Sequence, residues 1–215
     1  MSENPAPADT VVHLVRHGEV ENPQRVLYGR IPGFHLSADG RVQAKAVADF
    51  LAGRDIILLR SSPLERALET AEPLAAEFGL PVVVDERLIE PWNHFEGMTF
   101  GVGDGALRQP KHWPHLWNPI RPSWGESYAE VEARMRAALS DAADAARGHE
   151  AACVSHQLPI WVLRRSVEGR RLWHDPRRRM CALGSVTSFS FCEGQVTGVS
   201  YAEPAGGGRR QVAGA

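Results

Sequence analysis

Three places in the chain set reactive side chains directly behind a short apolar run. Val11-Val12-His13-Leu14-Val15 leads into Arg16-His17-Gly18-Glu19, and Asp55-Ile56-Ile57-Leu58-Leu59 leads into Ser61-Ser62-Pro63 with Arg66 close behind. Ala151-Ala152-Cys153-Val154-Ser155 ends in His156. In an open α/β sheet, functional groups collect at the carboxyl ends of the strands, so two arginines and two histidines would meet at one edge. That set suits a phosphate ester. Arginine forks give bidentate contacts to phosphate oxygens, and a neutral imidazole is a competent nucleophile near neutral pH. The second histidine, when protonated, would stabilise charge on the transferring group. Gly18 would let backbone come close to the phosphate, and a carboxylic acid is still needed to protonate the leaving oxygen.

Each piece alone is weak. Arg-His-Gly is short enough to recur by chance, and a histidine at a strand end is more often a hydrogen-bonded structural residue than a catalyst. An arginine on a helix is usually a solvated face. Their placement behind three separate strands is what gives them weight.

The elements that must position these groups are legible in outline. Val82–Val84 reads as a further, shorter strand, and two C-terminal runs read as a hairpin around Glu193-Gly194-Gln195. Helical stretches are expected over 39–52, 63–78, 126–147 and 158–168, with Val131, Met135, Ala138 and Ala142 recurring at helix spacing. Pro63 stands where the second helix would begin and Gly79 where it should stop. Alternating strands and helices predict a three-layer α/β/α sandwich with a mostly parallel central sheet. One domain is expected over 11–202, with flexible tails at 1–10 and 203–215. The segment 91–125 breaks the rhythm, carrying Trp92, Phe95, Phe100, Trp113, Trp117 and Trp124 among five prolines. It reads as a lid or binding loop whose aromatics would favour aryl phosphates, or as a satellite core under a long loop.

Composition narrows the classes. With 215 residues, 43% hydrophobic and 23% charged, the chain can bury one sizeable core. A net charge of −2 gives no global pull toward nucleic acid or an anionic membrane. Cys153, Cys181 and Cys192 are an odd count without C-x-x-C spacing, so buried free thiols are expected rather than a disulfide framework. The N-terminus lacks the basic and apolar regions of a secretory signal, and no apolar run reaches the roughly 18 residues of a membrane span. The expectation is a soluble, cytoplasmic protein. Pro114 between His112 and His115 argues against a zinc-bearing helix turn. Arg177-Arg178-Arg179 is a solvated loop, a nucleic-acid contact, or a rim favouring polyanionic substrates.

Taken together, VHLVRHGE, SSPLERALETA and VSHQLPI resemble the histidine phosphatase superfamily, also called phosphoglycerate mutase-like, and the likeness runs in order over about residues 11–201. The LSADGRVQA segment, Leu36 to Ala44, is similar to that family's helix entry. The resemblance implies that His17 is the phosphorylated nucleophile and that Arg16, Arg66 and His156 form the phosphate pocket. It makes Glu90, in Leu88-Ile89-Glu90, the proton donor and Asn22 a further phosphate contact. Glu126, in Gly-Glu-Ser, is read as helix capping and loop support. This sequence departs from the family with Val20 in place of Thr and Asn22 one residue early. It also has a shortened Pro91-Trp92 connection after the acid and Gln157-Leu158 behind His156. The implied activity is hydrolysis of a small-molecule phosphomonoester without metal or cofactor, and without nucleic-acid or membrane partners. The same motifs also fit a phosphomutase or an inactive phospho-ligand binder.

Overall fold

The computed structural model describes residues 10–99 and 125–206. The elements, in chain order, are β1 (Thr10–Arg16), α1 (Ala38–Leu51), β2 (Ile56–Ser61), α2 (Glu65–Phe78) and β3 (Val83–Val84). After a 3-10 turn at Glu86–Leu88 come α3 (Tyr128–Ala145), β4 (Glu150–Ser155) and α4 (Gln157–Val167). A second 3-10 turn at Pro176–Arg178 precedes β5 (Val186–Cys192) and β6 (Gln195–Ala202). They form one six-stranded sheet in the order β3-β2-β4-β1-β5-β6. The first four strands in sequence are parallel, and β5 and β6 run antiparallel at one side.

The central strands are covered on both faces, which is why they read as nearly continuous apolar runs. Val12 and Leu14 of β1 pack with Val131, Met135 and Ile160 of α3 and α4. Val15 points the other way, into Val47, Leu51, Ala71 and Leu74 of α1 and α2. Ala151 and Cys153 of β4 join the first core, and Ala152 and Val154 the second. The expected three-layer sandwich is therefore observed. The connections through α1 and through α3 cross the sheet in opposite directions, and right-handed crossover puts those helices on opposite faces.

Most boundaries differ from expectation by one or two residues, each for a local reason. Helix α2 begins at Glu65, because Pro63 and Leu64 stay extended and lead the chain out of β2. Gly79 ends it in the left-handed region at φ 64°, its N–H reaching the carbonyl of Ala75. Helix α3 begins at Tyr128, since Ser127 and Glu130 close a capping box there. The hairpin turn is Glu193-Gly194, with φ of 50° and 76°, as a two-residue turn requires.

Thr10, expected in the N-terminal tail, belongs to β1, and its hydroxyl accepts from Gly148 N. Cys192 is exposed, a correction to the expectation of three buried thiols, whereas Cys153 and Cys181 are buried. In the aromatic segment, Trp92 is half exposed and Phe95 buried, and Asn93 pairs with Gly125. Phe100, His112, Trp113, His115, Trp117 and Trp124 lie outside the described residues, as do 1–9 and 207–215. Among the described residues no helix is long and apolar enough to cross a membrane.

One backbone contact locks the loop after β1 to the start of α1. A Cβ on Gly18 would sit 2.4 Å from the carbonyl oxygen of Gly40, and a Cβ on Gly40 would sit 2.0 Å from that of Glu19. Ser37 N donates to the Glu19 carbonyl at 2.9 Å, and the Ser37 hydroxyl caps the helix by accepting from Gly40 N. Gly18 is thus required first by the approach of a helix. Gly40→Ala should destabilise the fold by about 1–3 kcal/mol through overpacking, although alanine is the better helix former by roughly 1 kcal/mol. Chemical denaturation checks this, and a stabilised variant would show that the contact is not a constraint.

Candidate active site

Strand β4 lies between β1 and β2, which sets the three reactive ends side by side. Arg16 is in register with Ser155 and Ser61 with Val154. His17 N donates to the Ser155 carbonyl at 3.1 Å and Ser62 N to the Val154 carbonyl at 2.9 Å. The His17 and His156 rings consequently lie 5.1 Å apart between centroids. His156 Nε2 is 2.7 Å from the Ser62 hydroxyl.

His17 is buried, and its Nδ1 lies 2.7 Å from the Gly18 carbonyl oxygen. A carbonyl can only accept, so Nδ1 carries the proton and Nε2 the lone pair. Burial, then the positive charges of Arg66 and Arg16, hold its pKa well below the ordinary histidine value. It is neutral at physiological pH. Burial and the charges of Arg66, His17, Arg16 and Arg134 depress His156 in the same way. Its Nδ1 is buried without a hydrogen-bond partner, and the nearest carboxylate oxygen in an ion pair with it, Glu90 Oε2, is 3.9 Å away. His156 is likewise neutral at physiological pH.

Both expected arginines enter the same space, moored by backbone carbonyls. Arg16 Nη1 donates to the Cys181 carbonyl at 2.6 Å. Arg66, the second residue of α2, donates from Nη2 to the Gly29 carbonyl at 2.6 Å, with its guanidinium 4.7 Å from the Tyr28 ring centroid. Arg66 Nε and Nη1 are buried and unmatched. Thr70 ties α2 to the first loop, accepting from Gly18 N at 3.1 Å and donating to the Arg66 carbonyl at 2.7 Å.

Glu90 joins them from the segment after β3. Burial raises its carboxyl above the usual range, against the pull of Arg66, Arg179, Arg16 and Arg134. The site therefore holds a neutral imidazole with a free lone pair, unmatched cationic donors and a carboxyl biased toward its protonated form. Residues 12–204 match the histidine phosphatase superfamily (branch 1). The chain belongs to that superfamily.

Relatives and solved structures agree with this family assignment. Rv0525, an uncharacterised protein of Mycobacterium tuberculosis, is 56% identical over 199 residues, 93% of this chain and 98% of that one. Probable phosphoglycerate mutase GpmB of Escherichia coli is 31% identical, over 81% of this chain and 83% of the other. Among solved structures, mycobacterial glucosyl-3-phosphoglycerate phosphatase Rv2419c superimposes with a TM-score of 0.69 at 28% identity, covering 85% and 90% of the two chains. Bacillus stearothermophilus YhfR superimposes with a TM-score of 0.72 at 27% identity, covering 87% and 94%.

In this histidine phosphatase superfamily member the expected helix capping by Glu126 needs correction, its expected loop support is observed, and Asn22 is engaged by its own loop. Asn22 spends both ends of its amide on Val26, donating to its carbonyl at 2.8 Å and accepting from its N–H at 3.1 Å. It shapes the loop that delivers Tyr28 and Gly29 to Arg66, and one of its two amide hydrogens remains beyond that pair of bonds. Glu126 does not cap α3. It pairs with Arg134 at 2.7 Å and Arg30 at 3.1 Å. Those arginines in turn grip the carbonyls of Arg87 and Glu90, both at 2.5 Å. Glu126 thereby anchors the segment carrying the acid, and Ser155 assists by donating to the Leu88 carbonyl at 2.7 Å.

Sequence reasoning missed Tyr28, Arg30, Ser62 and Arg134 as site neighbours, and reached Arg179 only as one of three readings of the arginine run. Of those missed, only Ser62 had a signal, its place in the strand-end motif; the others arrive from separate loops and helices.

The depressed histidines make a stability prediction. Burial lowers His13, His17, His156 and His174, the last to about 4. The unfolded chain takes up these protons near pH 6.5 while the folded chain refuses them, so their contribution is full above 6.5 and lost as pH falls. Each histidine costs up to about 1.4 kcal/mol per pH unit, and Glu90, raised, opposes with a single proton. The melting temperature should therefore change little between pH 7.5 and 6.5 and fall increasingly steeply from pH 6.5 to 5.5. A flat profile across that range would contradict the assignment.

Proposed function

We propose that the protein is a phosphomonoester hydrolase that forms a phosphohistidine on His17 and requires no metal or cofactor. The observation that carries this reading is the set of buried donors without partners, Arg66 Nε and Nη1 and His156 Nδ1, beside the lone-pair nitrogen of a neutral His17. A phosphate dianion supplies oxygens for those donors. Arg16, Arg66 and His156 meet the charge that a metal clamp would otherwise neutralise.

The reaction has two steps. Nε2 of His17 bonds to phosphorus as the bond from phosphorus to the leaving oxygen breaks, and Glu90 gives that oxygen its proton. Water then attacks the phosphohistidine, Glu90 takes a proton back, and Nε2 regains its lone pair. Burial serves both partners in opposite senses, keeping His17 unprotonated and raising the carboxyl of Glu90 toward its protonated form. The likeness to GpmB favours a second reading, in which an alcohol replaces water in the second step. Partition of labelled phosphate between water and added phosphoglycerates separates the two.

Removing His17 removes the attacking atom, so His17→Ala should abolish turnover of p-nitrophenyl phosphate while the protein stays folded. Near-wild-type activity of that variant sinks the mechanism, and absence of any labelled phosphoenzyme in the wild type would favour an inactive binder. Vanadate, which can take five-coordinate geometry on His17, should inhibit more tightly than phosphate. Chelation should leave the rate unchanged, and activity restored by zinc or magnesium after chelation would overturn metal independence.

Glu90→Gln distinguishes the acid. In single-turnover phosphorylation with enzyme in excess, it should slow an alkyl phosphate by about 100-fold or more. p-Nitrophenyl phosphate, whose leaving group departs without a proton, should slow far less. Equal slowing of both substrates, with the leaving-group dependence found instead in a Glu19, Glu86 or Glu96 variant, reassigns the acid.

A further inference from the structure

The three consecutive arginines after Pro176 part company in the fold. Arg177 turns back on Asp175, with Nη2 3.0 Å from its carboxylate, and is 83% exposed. Arg179 turns inward. Its Nε donates to His174 Nε2 at 2.9 Å, its Nη1 donates to Gln157 Oε1 at 3.4 Å, and Tyr128 is a further side-chain partner. Gln157 directly follows His156, and Cys181, two residues after Arg179, holds Arg16 through its carbonyl at 2.6 Å. Arg179 thus belongs to the wall of the phosphate site.

All three of its partners are neutral. His174 Nδ1 donates to the Leu172 carbonyl at 2.7 Å, which leaves Nε2 as an acceptor. Burial lowers its pKa to about 4, so it cannot take up a proton and repel the guanidinium at physiological pH. Among the described residues no carboxylate forms an ion pair with Arg179, whereas Arg30, Arg134 and Arg177 each have one. A shielded guanidinium fixed by neutral groups keeps its charge available to a ligand.

Its place in the site follows from its neighbours. Gln157, which accepts from Arg179 Nη1, directly follows His156, and His156 Nδ1 is the nitrogen 3.9 Å from Glu90 Oε2. The guanidinium is thus tied to the part of the wall that adjoins Glu90. The phosphate is met by two arginines and a histidine, so one further arginine with two of its nitrogens committed to the wall matches a monoanion. We propose that Arg179, oriented by His174, Gln157 and Tyr128, binds a carboxylate on the leaving-group half of the substrate, selecting phosphomonoesters of hydroxy acids. This rests on the hydrolase reading above and adds a subsite to it.

The test is kcat/KM for phosphoglycolate against its neutral carboxamide, and for the pair one carbon longer. Wild-type enzyme should prefer the acid in at least one pair by about tenfold or more, the worth of a charge-assisted contact. Arg179→Gln should bring that ratio close to the intrinsic one, chiefly through a raised KM for the acid. Arg179→Lys should recover part of the preference, and Arg177→Gln should keep the wild-type ratio. No preference in the wild type overturns the proposal. So do equal losses on acid and amide in Arg179→Gln, the signature of a residue that only tunes Glu90 or supports the fold, and loss of preference in Arg177→Gln, the signature of diffuse charge. Hydrolysis of p-nitrophenyl phosphate with trapped phosphohistidine reports separately on the parent reading. If that is absent the hydrolase reading falls, and calorimetric binding of the same acid and amide pairs still decides the subsite.

Discussion

Arg66 holds a positive charge out of reach of water with two of its nitrogens unmatched. Removing such an ion from water costs several kcal/mol even after relaxation, so the surroundings must hold it without neutralising it. They do so with the face of Tyr28 and the carbonyl of Gly29. The electrostatics of the site follow from that choice. Burial, reinforced by the neighbouring guanidinium, keeps both histidines uncharged, which leaves His17 a base and the Nδ1 of His156 without a partner. An arriving dianion reverses the balance, and anything that binds only the folded form adds its binding energy to stability.

The distribution of carboxylates follows the same logic. Glu126 is spent on Arg30 and Arg134, which support the backbone beneath Glu90 and face no phosphate role. The arginines that enter the pocket are moored by backbone carbonyls or neutral side chains instead. Cys181 O holds Arg16, Gly29 O holds Arg66, and His174 with Gln157 holds Arg179. A neutral acceptor fixes a guanidinium's direction while leaving its charge nearly intact. A carboxylate would do the first and cancel the second. Glu90 is the exception, and burial biases it away from the charged state.

Positioning is assured by contacts between backbones. The mutual approach of Gly18 and Gly40, the Ser37 cap and the Thr70 bridge join β1, α1 and α2 into one rigid corner. Closely packed backbone has no soft side chain to absorb a displacement. His17 is thereby held to the helix that carries Arg66, and a fixed geometry of this kind is what favours reaction between held groups.

The strand-end motifs made Arg16, His17, Arg66 and His156 legible in the sequence, because strand periodicity and local residue type are short-range properties. The layer order was legible for the same reason, since runs such as Val11–Val15 are apolar on both faces and need cover on both sides. Glu90 was reached through resemblance to a family rather than through any local pattern. Glu126 misled as a helix cap, and the bonds of Asn22 to Val26 were not legible, since a polar side chain in a loop gives no sign of which partner it will meet. The insertion of β4 between β1 and β2 was also beyond the sequence, although it alone puts His17, Ser62 and His156 in contact. So was the inward turn of Arg179, beside an outward Arg177 in the same run. Identical residue types two positions apart differ only in the partners that distant segments bring to them. The chain by itself determined which groups carry the chemistry. Burial and long-range register, which exist only once the sheet has formed, decided their charge states and their partners.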